Sequence, residues 1–192
     1  MIQLTSPTLE TERLILRPVR LMDAPAVQRL AGDPGVARTT ASIPHPYENW
    51  MAERWIARQR QACNEGRAVV FSMILRQNEQ LIGIMSLDDI RWHHQAGMGY
   101  WVGVPYWGLG FCTEAGRAVI EYAFTALGLY RVHAQHLSSN PASGRVMQKL
   151  GMHHEGRRAG HACRWGRIED VDLYGIINPA SGNPGEEPGP AS

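Results

Sequence analysis

The sequence predicts an α+β chain with one central mixed sheet and helices packed on it. Two observations carry this. Stretches with apolar residues at strand spacing and at helix spacing interleave along the chain, instead of gathering into separate halves. The 192 residues, 44% apolar and 19% charged, have the composition of an ordinary globular domain, and no repeat of about 20 to 50 residues divides them.

Leu9 to Arg17 carries aliphatic residues between Pro7 and Pro18 and predicts the first strand. Asp23 as N-cap, Pro25 in the first turn and Ala26, Val27 and Leu30 on one face predict a short helix that Gly32 closes. A loop around Pro44 and Pro46 follows. Trp50, Met51, Trp55 and Ile56 then recur at helical spacing in a segment ending near Gly66. Arg67–Leu75 and Leu81–Leu87, joined by the turn residues Gln77, Asn78 and Glu79, predict a hairpin, and Met98–Val102 a further strand. From Thr113 to Leu127 apolar residues cover most sides of a helix, which places it against the sheet. A strand at Arg131–His136, a helix at Ala142–Leu150 stopped by Gly151, and two strands around Met152–Arg158 and Glu169–Ile177 complete a sheet of about seven strands.

Residues 1–177 form one predicted domain. Residues 178–192, almost all Pro, Gly, Ala, Ser, Asn and Glu, are expected to be a disordered tail, because they have too little apolar area to offset the entropy of ordering. Nineteen Lys plus Arg against eighteen Asp plus Glu leave a net charge of +1, too little for a field that would hold nucleic acid or an anionic membrane. No apolar run approaches the roughly 18 to 20 residues of a membrane span, and no secretory leader is recognisable, so the expected compartment is the cytoplasm. Cys63, Cys112 and Cys163 lie far apart, which argues against a disulfide framework. No metal is expected: His153 and His154, if in a strand, point to opposite faces.

The chemistry-bearing motif is Tyr106-Trp107-Gly108-Leu109-Gly110-Phe111-Cys112-Thr113, a strand-to-helix loop with two glycines spaced by one residue. Backbone N–H groups at a helix N-terminus, where the macrodipole is positive, form a site for a phosphate or pyrophosphate. A tight turn that needs glycine for its dihedrals explains the same residues. The loop is not a P-loop, since no Gly-Lys-Ser/Thr follows, and it lacks the third glycine of a dinucleotide fingerprint.

Together with Leu9 to Arg17, Leu81-Ile82-Gly83, Gly99-Tyr100-Trp101, Asn140-Pro141-Ala142-Ser143, Leu150-Gly151-Met152, Glu155-Gly156 and Asp170 to Tyr174, this loop resembles the GNAT superfamily of acyl-CoA-dependent N-acetyltransferases, and within it the RimJ/RimL-type branch. The resemblance implies a twisted, mostly antiparallel sheet with helices on both faces, whose fourth and fifth strands splay apart around the pantetheine arm of acetyl-CoA. It places the pyrophosphate loop on Trp107, Gly108, Leu109, Gly110, Phe111 and Cys112, continuing to Thr113. Trp101 and Val102 fall on the strand edge that polarises the thioester carbonyl, and Asn140 and Ser143 on the cofactor side. Two positions depart from the pattern: Trp107 stands for Gln or Arg, and Cys112 for Gly or Ala. Cys112 reads either as a small packed residue or as a thiol of interest.

Where many relatives have a tyrosine acid, seven residues after the Asn, this chain has Met147. Ser143 resembles the serine that the RimL-type branch uses to protonate the leaving thiolate; a hydroxyl serving the helix N-terminus is the plainer reading. A carboxylate base is not apparent, since Gly97 and Ala162 stand where relatives carry acids. His161 is the nearest titratable substitute and His161→Ala is expected to lower turnover; Asp88 and Asp89 are further candidates. Trp50, Trp55 and Trp92 are candidate walls of an amine pocket.

The resulting expectation is acetyl transfer from acetyl-CoA to a primary amine in a ternary complex by a monomer or homodimer. The acceptor is a protein N-terminus or a small amine such as a polyamine, an antibiotic or an amino-acid analogue. A non-catalytic acyl-CoA-binding module is the rival.

Overall fold

In the computed structural model, which describes residues 7–91 and 93–181, eight strands form one sheet in the order β1-β2-β3-β4-β5-β6-β8-β7. They are β1 (Leu9–Glu10), β2 (Leu14–Pro18), β3 (Val69–Leu75), β4 (Leu81–Arg91), β5 (Gln95–Val102), β6 (Arg131–Leu137), β7 (His153–Arg164) and β8 (Arg167–Ile177). The helices are α1 (Ala24–Ala31), α2 (Pro34–Thr39), α3 (Met51–Asn64), α4 (Phe111–Thr125) and α5 (Pro141–Lys149).

Side chains alternate between the two faces of a strand, and here both faces are apolar. Leu14, Leu16, Phe71, Met73 and Met85 pack with Ala115 and Val119 of α4 and Met147 of α5. Val70, Ile74 and Ile84 point the other way, onto Val27 and Leu30 of α1 and Ala52 and Ile56 of α3. The expected α+β fold with helices on both faces is thus the observed one.

Three elements differ from the sequence reading. The run Leu9 to Arg17 breaks into β1 and β2, because Thr11 turns the chain: its N–H donates to the Leu14 carbonyl (2.9 Å) and its Oγ1 accepts from Leu14 N–H (3.0 Å). This raises the count from about seven strands to eight. Helix α2 was not foreseen, although Asp33 caps it by accepting from Gly35 N–H (2.7 Å) and Pro34 opens it. Asp23 does precede α1, but its carboxylate takes the Arg17 guanidinium (2.6 and 2.8 Å), Ser72 Oγ (2.8 Å) and Arg20 N–H (2.9 Å) instead of capping.

At the chain end, Asn178 is tied to the sheet: its N–H donates to Tyr130 O (2.8 Å) and its side chain to Leu129 O (3.2 Å). The rest of the expected tail, from residue 182, and Trp92 lie outside the described residues.

The feature that positions the site is the one parallel pair. β5 and β6 are joined through α4, a crossover that makes parallel neighbours, and their ladder holds only at Gln95–Arg131, Ala96–Val132 and Gly97–His133. β5 stays paired with β4 as far as Val102, and β6 with β8 as far as Leu137. From Met98 and Ala134 onward the two strands therefore part, and the sheet opens into a cleft. This is the expected splay of the fourth and fifth strands, shifted by one number because the first strand is divided.

Candidate active site

The opening in the sheet is continuous with a cavity of about 1110 Å³ lined from both faces. At its rim, a short helical turn at Val104–Tyr106 carries the chain from β5 into the glycine loop, and Trp107 Nε1 locks that turn by donating to Val102 O (2.8 Å). Gly108 and Gly110 have φ of +74° and +84°. A Cβ on Gly108 would meet nothing within 4 Å, so the backbone conformation, not space, calls for glycine there. Among the described residues, no acceptor takes up the N–H groups of residues 108–113. They crowd the positive end of α4, an arrangement suited to a pyrophosphate.

The loop is clamped from the turn between β1 and β2. Arg13 donates to Leu109 O (3.0 Å) and to Glu114 Oε2 (2.7 Å), and its guanidinium lies 4.5 Å from the Phe111 ring centroid. Glu114 Oε1 also accepts from Arg13 N–H (2.8 Å) and Thr11 Oγ1 (2.6 Å). Burial alone would raise the Glu114 carboxyl, but these donors outweigh it and hold the group below the usual carboxylate range. Burial pushes the Cys112 thiol up to about 12, so at neutral pH it is a protonated, packed residue and no nucleophile.

On the α4/α5 face, Ser143 Oγ lies 2.8 Å from the Tyr100 hydroxyl, and Tyr100 donates to Ser143 O (3.0 Å). With that proton on the carbonyl, the Ser143 hydroxyl can turn its own proton to the tyrosine oxygen or into the cleft, which it lines. Burial keeps the Tyr100 phenol well above its ordinary range, hence protonated. The capping role belongs to Asn140, whose Oδ1 accepts from Ser143 N–H (3.3 Å) while its Nδ2 holds Thr39 O (3.0 Å). Ser143 Oγ is thus free of helix capping, and Met147 is sealed in the core.

On the opposite face, three positions align across three strands: Asp88 pairs with Gly97, and Gly97 with His133. Cross-strand neighbours share a face, so Asp88, Gly97 and His133 lie side by side, with the His133 ring over Gly97 and the Asp88 carboxylate over Gly99, its Oδ2 3.4 Å from a Cβ built there. A Cβ on Gly97 would stand 3.3 Å from His133 Cε1 and 3.7 Å from its Nε2. The β4 register shifts just after Asp88, where Asp89 takes φ +50°, a bulge of the kind that aims a side chain into a site. Ser86 Oγ donates to Asp88 Oδ2 (2.6 Å). Burial raises the Asp88 carboxyl, with the Asp89 charge adding to it against the Ser86 bond. Burial, with the Arg131 charge, lowers His133 below 6.5 and favours a neutral imidazole.

The sequence reading missed His133. It named His161 as a substitute base; in the structure His161 is exposed on β7, with Nε2 3.4 Å from Arg158 Nη1, and is not among the residues lining the cleft. Ala162, at the position of the missing acid, pairs with Glu169 on that same edge hairpin.

The outer wall is the segment from Thr39 to Pro44 with Tyr47, Trp50 and Trp55. Arg164 at the tip of β7 fastens it by donating to Ala37 O (2.7 Å), Ile43 O (2.7 Å) and Ala41 O (3.4 Å), its guanidinium 5.0 Å from the Trp165 ring.

Residues 13–153 match the family model described as an acetyltransferase (GNAT) domain. An uncharacterized N-acetyltransferase of Bacillus licheniformis is 31% identical over 171 residues, covering 88% of this chain and 96% of that protein. The [ribosomal protein uS5]-alanine N-acetyltransferase of Escherichia coli K12 is 25% identical over 179 residues, covering 89% of this chain and 91% of the relative. Among solved structures, RimL, a ribosomal L7/L12 alpha-N-protein acetyltransferase in complex with coenzyme A, superposes with a TM-score of 0.84 at 17% identity, over 91% of this chain and all of that one. No helix among the described residues is long and apolar enough to cross a membrane.

Proposed function

The chain belongs to the GNAT family of acetyltransferases, and from that premise we propose that it moves the acetyl group of acetyl-CoA onto a primary amine, most favourably the N-terminal amine of a protein. The observation that carries the reading is the placement of an acid and a base on opposite faces of one opening in the sheet, beside a loop of unused N–H donors.

The N–H groups of 108–113 take the pyrophosphate, and the edge of β5 at Trp101 and Val102 runs beside the thioester. An amine entering from the α3 face meets Asp88 and His133. Its nitrogen lone pair forms the new N–C bond, its proton passes to the neutral His133 imidazole, and the C–S bond breaks toward the α5 face. There the Ser143 hydroxyl gives its proton to the departing sulfur and regains one from solvent. The α-amine preference draws on the names of the ribosomal-protein relatives.

The test is thiol release from acetyl-CoA with a panel of N-terminal peptides and small amines, with acetyl-CoA binding measured alongside. Turnover on a peptide amine supports the proposal. Tight acetyl-CoA binding with no turnover on any acceptor favours a non-catalytic module.

Two variants separate the halves of the site. Glu114→Ala removes the anchor of Arg13 and is expected to raise the acetyl-CoA KM about five-fold at unchanged kcat, the equivalent of about 1 kcal/mol for part-exposed charged hydrogen bonds. Arg164→Ala frees the outer wall and is expected to raise the amine KM about ten-fold while the acetyl-CoA KM holds, since ordering a loop on binding costs on the order of 1 kcal/mol or more. Steady-state kinetics with each substrate varied in turn checks both.

A further inference from the structure

The cleft is electrically lopsided on its amine side. Its only acidic lining residues among those described are Asp88 and Asp89, at the inner end of β4. Arg54 and Arg58 line the same cavity from α3, whereas Glu48 and Glu53 nearby do not. Neither arginine has a carboxylate partner among the described residues. Arg54 is steadied instead over the Trp50 ring, 5.5 Å from its centroid. Arg58 also shares a smaller cavity of about 310 Å³ with Asp88 and Asp89, so the cationic pair begins beside the acidic end and runs outward along α3.

Resting on the acetyl-transfer reading above, we propose that the acceptor is a protein N-terminus whose second and fourth residues are acidic. The amine is received at Asp88 and His133, and the two acidic side chains by Arg58 and Arg54. The spacing suits an extended peptide. Side chains at alternate positions of an extended chain lie roughly 6.5 to 7 Å apart, and residues four apart on a helix are about 6 Å apart at Cβ. A polyamine or an aminoglycoside fits poorly, because an amine docked at Asp88 brings its next ammonium against two unpaired guanidinium groups.

The test uses the full chain at saturating acetyl-CoA with two peptides alike except at positions two and four, acidic in one and lysine in the other, beside spermidine, phosphoethanolamine and a free amino acid. The acidic peptide is expected to exceed the lysine peptide in kcat/KM by about ten-fold, the yield of two exposed ion pairs, and the ratio to shrink in high salt. In the double variant Arg54→Gln/Arg58→Gln the ratio is expected to fall near one with the acetyl-CoA KM unchanged. Equal use of both peptides, a preference for lysine or spermidine, or a preference that survives the double variant overturns the inference while leaving acetyl transfer intact. Phosphoethanolamine or the free amino acid outpacing the acidic peptide overturns the peptide as the source of the anion. Absence of turnover on every acceptor overturns the acetyl-transfer reading, and this inference with it.

Discussion

Ser143→Ala is expected to lower kcat about 100-fold, near the lower end of what a positioned general acid supplies, because a thiolate leaves more readily than an alkoxide. The argument rests on what the hydroxyl does not do. Asn140 caps α5 through its own side chain, and the Tyr100 hydroxyl donates to the backbone carbonyl of residue 143, so neither bond is lost in the alanine variant. The half-buried Oγ bonds only to Tyr100 Oη among the described residues, and α5 keeps its fold without it. The acetyl-CoA dissociation constant is therefore expected to stay within about two-fold, because the hydroxyl acts on charge that develops as the C–S bond breaks. Tyr100→Phe, which keeps the ring against α5 and removes its oxygen, is expected to cost less than Ser143→Ala, since the serine keeps its own proton. Single-turnover thiol release with each variant checks both. A Ser143→Ala enzyme that keeps its rate within a few-fold would remove the serine from the chemistry and leave water as the proton source.

How much of this site the sequence disclosed depended on whether each signal was local. The glycine loop is local: two glycines before a covered helix already require positive φ and exposed N–H groups, and both appear at Gly108 and Gly110. The pairing of Asn140 with residue 143 is local too, although the sequence reading gave the helix-terminal role to the Ser143 hydroxyl and did not weigh Asn140 as the cap. The row Asp88–Gly97–His133 is not local, since it spans 45 residues and exists only once the registers of β4, β5 and β6 are set. Gly97 read alone is a missing acid; in the structure it is the floor against which the His133 ring packs, where any side chain would press on the imidazole. The distance of His161 from the cleft has a mechanical cause. The ungapped count from Gly151 crosses two register shifts, one between His154 and Gly156 and another between Arg158 and Ala162, and these carry the segment out along an edge hairpin. The overlooked α2 was available to a local reading, in the order Asp33 then Pro34, but the glycine before it was read only as a stop.

His133→Gln is expected to lower kcat/KM for the amine about 100-fold at neutral pH and to change the shape of its pH profile. The direction follows from the sign of the shift. Burial and the Arg131 charge lower His133 below 6.5, so the imidazole is neutral above that lowered value and is lost as a base when pH falls through it. A free α-amine must also shed a proton, with a pKa of about 7.7 to 8.0. In the wild type, log(kcat/KM) should therefore rise with a slope of about two at low pH, bend to about one below pH 6.5, and flatten near pH 8. In His133→Gln only the amine titrates, and the slope stays at about one from low pH until it flattens near pH 8. Asp88→Asn separates the neighbouring carboxylate from this role: it is expected to raise the amine KM about ten-fold, as for a charged hydrogen bond lost from a half-open cleft, while the slope of two is kept. His161→Ala, exposed on β7, should match the wild type in both rate and slope. A slope of two retained in His133→Gln but reduced in Asp88→Asn would transfer the base to the carboxylate, and a profile altered only in His161→Ala would return it to the hairpin.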